Sequence, residues 1–189
     1  MNILQRTTLV AVLTLSLSGC AAALVGATAV GIASASDSRT VGAQVDDQAI
    51  EVKAITALKR EDKLDAARIQ VVSFNRSILL MGQVANRNLS DLAANTVRSI
   101  DGVIRVHNEI RVGDVIGLKT ISNDTWITSR VKAQLLANKE VEGSRVKVVT
   151  ENGEVFLMGI VSRAEAQTAI DIARNVNGVT RVIDAFEVR

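Results

Sequence analysis

The chain has 189 residues, with 22 basic and 20 acidic side chains, one histidine, one cysteine, one tryptophan, three phenylalanines and neither tyrosine nor proline. This near-neutral balance and the scarcity of aromatic groups exclude a general nucleic-acid binder, which needs a basic stripe and stacking platforms. One cysteine and one histidine are too few for a Cys/His zinc site, and a lone cysteine forms no internal disulfide.

The N-terminus carries a processing signal. Arg6 is the only charge in the first twenty residues, and residues 9–17 form an apolar run too short to span a bilayer. Leu17-Ser18-Gly19-Cys20 follows directly and has the pattern of a lipobox, at which a precursor is cut and the cysteine acylated. Residues 1–19 are therefore read as a lipoprotein signal peptide, Cys20 as the site of lipid attachment, and residues 20–45 as a flexible linker. The alternative is one transmembrane helix over residues 9–32. Gly19, Gly26 and Gly31 weaken it, as does the Ala/Gly/Ser/Thr-rich stretch after Cys20.

The remainder repeats itself. A shift of 77 residues places Asp47, Ile50, Leu58, Arg68, Val71, Asn75, Leu80, Met81, Gly82 and Val84 on Asp124, Ile127, Leu135, Arg145, Val148, Asn152, Leu157, Met158, Gly159 and Val161. One deletion later, Arg98, Gly102, Val103, Arg105 and Val112 fall on Arg174, Gly178, Val179, Arg181 and Val188. Two copies are too few for a solenoid and fit two small domains, residues 46–113 and 123–189, joined by a linker over 114–122.

Each copy reads in the same order. Asp47 and Asp124 are expected to open a helix as caps or first-turn acids. Ile50, Ala54 and Leu58, and Ile127, Val131 and Leu135, recur every fourth residue as a buried stripe. Two β-rich runs follow. In the second copy they are residues 145–150 and 154–161, joined by Asn152-Gly153, a strong hairpin signal. The first copy has the weaker Asn75-Arg76 there. A second helix is expected over residues 88–99 and 163–175, broken before Gly102 and Gly178, and a last strand over 103–112 and 179–188. The expected fold is α+β: two α-β-β-α-β sandwiches in tandem, each a three-stranded mixed sheet packed on two helices.

With Gly82 and Gly159 after an apolar strand, and Gly-Val-x-x-Val opening the last strand, the unit resembles the BON domain. Two such units behind a lipobox resemble the dual-BON lipoproteins of Gram-negative envelopes. The resemblance implies a periplasm-facing, outer-membrane-anchored protein that binds phospholipid and supports envelope integrity, with enrichment at the division septum. Ala21 after the cysteine matches the family's pattern for outer-membrane delivery. It implies no enzyme activity, cofactor or metal.

The residues point to one candidate surface. Trp126 has Ala49 as its counterpart, so the fold does not require an aromatic side chain there. At 100° per residue, Ile127, Val131 and Leu135 face inward, and Trp126, Ser129, Ala133 and Leu136 fall on the other side, flanked by Arg130 and Lys132. Interfacial helices combine apolar and cationic groups in this way. The set assigned to anionic phospholipid is Trp126, Ile127, Ser129, Arg130, Lys132, Ala133 and Leu136. The competing reading packs Trp126 against the first copy or the linker. Glu51 and Lys59 stand where the second copy has Thr128 and Leu136, which is read as loss of an acid and gain of an apolar group. Val52 and Ile55 are assigned to domain packing, Met81 and Met158 to core packing, and His107 to a plain surface role, since no Ser-His-acid set can be assembled around it. A second function class stays open: a protein-binding adaptor for outer-membrane assembly, division or cell-wall machinery.

Overall fold

The computed structural model describes residues 39–189. The signal peptide, Cys20 and the start of the linker lie outside them. The first copy runs α1 (Val41–Lys59), a 3-10 turn (Asp62–Leu64), β1 (Arg68–Phe74), β2 (Ser77–Val84), α2 (Arg87–Arg98) and β3 (Arg105–Val112). The second runs α3 (Leu118–Ala137), a 3-10 turn (Gly143–Arg145), β4 (Lys147–Glu151), β5 (Glu154–Met158), β6 (Ile160–Val161), α4 (Arg163–Arg174), β7 (Arg181–Asp184) and β8 (Glu187–Val188).

Both copies have the expected mixed sheet. β2 lies between an antiparallel β1 and a parallel β3, and β5 likewise lies between β4 and β7. The parallel step requires a crossover, which α2 and α4 supply. These helices start where short polar side chains accept first-turn amides: Asn86 from Leu89, and Ser162 from Glu165 in a reciprocal capping box. In the second copy the last strand is not continuous. β7 ends at Asp184, the chain bulges at Ala185-Phe186, and β8 resumes against β6. The Phe186 ring lies about 3.5 Å from where a Cβ on Gly159 would stand. Gly82 is a closer approach: at φ 124° any side chain there would collide with the Arg68 carbonyl 1.9 Å away.

The first helices depart from expectation. α1 begins at Val41, capped by Thr40 Oγ1 on the Ala43 amide, and α3 begins at Leu118. Helix thus occupies residues 41–45 and 118–122, which were expected to be linker. Asp47 and Asp124 are consequently not helix-opening acids. Each sits inside its helix, buried, and its carboxylate reaches across to the hairpin turn. Asp124 accepts from the amides of Asn152 at 2.7 Å and Gly153 at 2.8 Å. Asp47 accepts from Asn75 and Arg76, both at 2.7 Å, from Ser73 Oγ at 2.8 Å, and from Arg39. Both hairpins turn through two positive-φ residues, Asn75-Arg76 and Asn152-Gly153. That geometry aims both turn amides inward, where a carboxylate satisfies them.

Each copy has its own core between helices and sheet. Ile50, Ala54, Leu58, Ile78, Leu80, Ala93 and Val97 build the first, and Ile127, Val131, Leu135, Val155, Leu157, Ala169 and Ala173 the second. A third cluster joins the copies. Val72, Phe74, Leu79 and Met81 meet Phe156, Met158 and Ala185. Side chains alternate along a strand, so Ile78 and Leu80 serve the first core while Leu79 and Met81 serve the seam between sheets. Met81 and Met158 are core residues, as expected, and the core they serve lies between the two sheets. This also explains the unbroken apolar runs of β2 and β5, since a strand covered on both faces shows no alternation.

Polar groups finish the seam. Glu151, nearly fully buried, accepts from Arg68 Nε at 2.9 Å and from the side-chain amides of Gln70 at 2.7 Å and Gln83 at 3.0 Å. Glu187 accepts from Asn75 at 2.6 Å, and Arg111 pairs with Glu154 at 2.9 Å. Among the described residues no buried side-chain polar atom lacks a partner.

Candidate functional site

The α3 helix buries one stripe and exposes the rest. Asp124, Ile127, Val131 and Leu135 point into the second core. Ile127 is fully buried there and corrects the assigned lipid-facing set: a residue with no exposed surface touches no lipid. The other six, Trp126, Ser129, Arg130, Lys132, Ala133 and Leu136, are all exposed. Trp126 is 45% exposed and Leu136 64%, so Trp126 is not packed away against the first copy or the linker. The Arg130 guanidinium carbon stands 5.3 Å from the centre of the Trp126 ring, a cation–π contact one helical turn apart. Ser129 Oγ donates to the Thr125 carbonyl at 2.9 Å, leaving its oxygen free only as an acceptor.

The longer helix adds what the sequence reading left out. Leu118, 82% exposed, falls on the same face as Leu136 and Ser129 at 100° per residue, with Lys119 beside it. The exposed surface of α3 therefore carries Lys119, Arg130 and Lys132 and no acid, because its single acidic residue, Asp124, is buried on the hairpin. The cause is local: a carboxylate spent inside on two amides does not offset the cations outside. The comparison of Thr128 with Glu51 needs correcting for a related reason. Both side chains are half-buried, Glu51 accepting from the Ser73 amide at 3.0 Å and Thr128 bonding Thr150 Oγ1 at 2.7 Å. The acid lost in the second copy was never on the outer face.

Beside α3 a cleft of about 390 Å³ opens towards β1. Arg68 and Gln70 line one side, Thr125, Thr128, Ser129 and Lys132 the other, with Thr150 and Glu151 at its base. Lys132 thus belongs to both the outer face and the cleft mouth. Arg68 is engaged by Glu151, so the cleft is polar but close to charge-balanced.

Val52 and Ile55 of α1, assigned to domain packing, are instead exposed, Val52 to 57%. His107 is half-buried in β3. Burial, followed by the charge of Arg105, lowers its pKa below the ordinary histidine value, against the opposing pull of Glu109, Glu187 and Asp184. Among the described residues no hydroxyl nucleophile is hydrogen-bonded to it. Among the described residues no group of three or more His, Cys, Asp or Glu could hold a metal ion, and no helix is long and apolar enough to cross a membrane.

Comparison with known proteins places this geometry. The BON domain profile matches residues 46–114 and 123–189. The chain is 40% identical to the outer membrane lipoprotein DolP of Haemophilus influenzae over 92% of its own length and 91% of that protein's. It is 47% identical to the 21 kDa hemolysin of Actinobacillus pleuropneumoniae over 78% of its length and 76% of that chain. It is 34% identical to osmotically-inducible protein Y of Escherichia coli over 75% and 72%.

Proposed function

The chain belongs to the BON-domain family, in the tandem form of its outer-membrane lipoproteins, and from that premise we propose that it binds anionic phospholipid through the exposed face of α3. It is an outer-membrane-associated, non-catalytic envelope protein. In our reading residues 1–19 are removed, acylated Cys20 holds the chain to the periplasmic face of the outer membrane, and α3 reads the leaflet's composition. Its role is to support outer-membrane integrity, with enrichment at the division site.

One observation carries the proposal: α3 exposes a tryptophan, two leucines and three cations with no acid among them. Magnitudes divide the labour. Each buried acyl methylene contributes ~0.8 kcal/mol, so a multiply acylated cysteine suffices for anchoring. Burial of one large apolar side chain adds about 1.5–3 kcal/mol. Each cation near an anionic surface adds about 1 kcal/mol. Those last contributions give a free domain only weak vesicle binding after orientation costs. On a tether they suffice, because the second contact is then intramolecular at roughly millimolar effective concentration. The tether is the 20 residues between Cys20 and Val41, the first residue of α1.

The test is vesicle co-sedimentation of the soluble chain with Trp126→Glu. The variant removes about 1.5–3 kcal/mol of apolar burial and sets a like charge against the leaflet. Affinity for anionic vesicles should fall about 10- to 100-fold, with an unchanged circular dichroism melt. A folded variant that binds as well as the parent overturns the lipid reading and puts the protein-binding adaptor in its place. The anchor is checked separately. Cys20→Ala should abolish palmitate incorporation, and a mature chain beginning at Met1 would reject lipidation.

A further inference from the structure

We propose that α1 is a self-association surface on which a second copy of this chain pairs in parallel, helix against helix. The seam is written in the residue spacing. Val41, Val45, Gln48, Val52, Ile55 and Lys59 follow one another at intervals of four, three, four, three and four. At 100° per residue they fall within about 80° of arc. All six are exposed, Val45 to 63%. The opposite side of the helix, Asp47, Ile50, Ala54 and Leu58, is buried in the first core, so the exposed seam is additional to the one that folds the domain. Alternating three- and four-residue steps are the geometry by which one helix meets another.

The charge pattern selects the occupant. An isologous contact sets a surface against itself, so any net charge on it repels its own image. Ahead of Lys59 the seam carries no charge, and Gly42, Ala49 and Thr56 beside it are small and neutral. A second copy therefore meets it without repulsion. Lys59 closes the seam at its end, where its long stem reaches solvent. At the matching positions α3 has Ser122, Ser129 and Lys132 where α1 has Val45, Val52 and Ile55, so its stripe is polar and carries a cation midway along it. A lipid leaflet fits α1 less well, since Ala49 stands where α3 has Trp126, and of its three cations only Arg130 has a basic counterpart, Lys53, off the stripe.

The anchor bears on where pairing occurs. Only 20 residues separate Cys20 from Val41. Two copies anchored in one leaflet through Cys20 both enter α1 at Val41 from the same membrane surface, as a parallel pair requires. A helix of 19 residues is about 28 Å long. Such a pair buries less than the roughly 1,000 Å² that a stable soluble interface needs. Pairing is accordingly a property of the anchored protein, where both copies share one surface. The inference rests on the lipid anchor but not on lipid recognition by α3.

The experiment uses the full lipidated chain in its own envelope, where Cys20 is acylated and silent, with single cysteines introduced by Val45→Cys, Val52→Cys, Ile55→Cys or Lys53→Cys. Lys53 is exposed on α1 but lies off the seam. Under mild oxidation, Val45→Cys and Val52→Cys should each give a disulfide-linked homodimer at least about tenfold faster than Lys53→Cys, as expected of a local proximity effect. Val52→Arg, at an exposed position that tolerates it, should abolish the Val45→Cys crosslink and leave vesicle binding by the soluble chain unchanged. Trp126→Glu should leave the crosslink unchanged, so failure of pairing and failure of lipid recognition are told apart. Equal rates at Val52 and Lys53 would overturn the proposal. So would a Val45–Ile55 crosslink without self-crosslinks, which marks an antiparallel pair, and so would a Val52→Cys adduct formed only with a different envelope protein.

Discussion

Replacing Asp124 with alanine tests the physical core of the fold. The Asp124 carboxylate is nearly fully buried and accepts two turn amides, at 2.7 Å from Asn152 and 2.8 Å from Gly153. A hydrogen bond to a charged acceptor contributes about 1.5–3 kcal/mol, and a buried amide left unpaired costs about 1–3 kcal/mol. The Gly153 amide is buried and the Asn152 amide only partly so, so water recovers some of the loss. The expected destabilisation is about 3–5 kcal/mol. For a chain of this size each kcal/mol lowers Tm by roughly 2–4 °C, giving a fall of about 6–20 °C. Urea titration followed by circular dichroism reads the same change in the midpoint, with the slope preserved. Asp124→Asn keeps one acceptor but turns an NH2 donor towards the second amide, so it should lie closer to the alanine variant than to the parent. In the first copy Asp47 holds a turn whose second residue, Arg76, sits at φ 63°. There Arg76→Gly should restore about 1 kcal/mol to Asp47→Ala by relieving the left-handed strain. A loss below about 1 kcal/mol for Asp124→Ala would refute the clamp as a source of stability.

Three further outcomes are expected. Glu151→Ala leaves the Arg68 guanidinium and two glutamine amides unpaired at the domain seam, and should cost about 3–5 kcal/mol, with calorimetry resolving two transitions in place of one. Burial and Arg105 hold the His107 pKa below its unfolded value of about 6.5. The folded state thus favours the neutral ring, and its contribution is complete above the unfolded pKa and lost as pH falls through the folded one. His107→Gln should flatten the stability-versus-pH curve just below pH 6.5, and a curve unchanged by the substitution would deny His107 that role. Arg130→Ala with Lys132→Ala should weaken vesicle binding less than Trp126→Glu, and the difference from parent should shrink as salt rises, since exposed charges are screened over about 8–10 Å. Co-sedimentation at two ionic strengths measures it, and a salt-independent difference would mean the two side chains act by packing.

The repeat made much of the fold legible. An offset of 77, falling to 76 after one deletion, placed both sheets, both hairpins and the stripe of each first helix, and Gly82 and Gly159 fell where the backbone leaves no room for a side chain. α2 and α4 lie close to expectation because Asn86 and Ser162 are ordinary N-caps, whose signal is local. The first helices begin earlier than expected because Asp47 and Asp124 imitate the same local signal while serving a tertiary purpose. A carboxylate that caps a helix and one that crosses to a hairpin turn look alike until the partner amides are known. The seam between the sheets left a trace in the apolar runs of β2 and β5. A run covered on both faces does not say by what, so Met81 and Met158 could be placed inside but not between domains. Trp126 was legible because Ala49 served as an internal control. Leu118 was not, since it precedes the expected start of its helix.

The two copies have kept their interiors and parted on their surfaces. The carboxylate clamp, the hairpin with two positive-φ residues, and the stripe of Ile50, Ala54 and Leu58 all reappear as Asp124, Asn152-Gly153 and Ile127, Val131 and Leu135. A clamp that spends the only acid of α3 indoors leaves the exposed face free to become cationic, and Trp126 and Leu136 add the apolar component. In α1 Glu51 is likewise turned inward to Ser73, yet Val45, Val52 and Ile55 replace the polar and cationic residues of α3 with a neutral seam. The sheets cannot share in this divergence, because each already covers the other through Phe74, Leu79, Met81, Phe156 and Met158. Surface chemistry is thus left to the first helices. One shows three cations and no acid on its outer face, and the other a stripe uncharged up to Lys59.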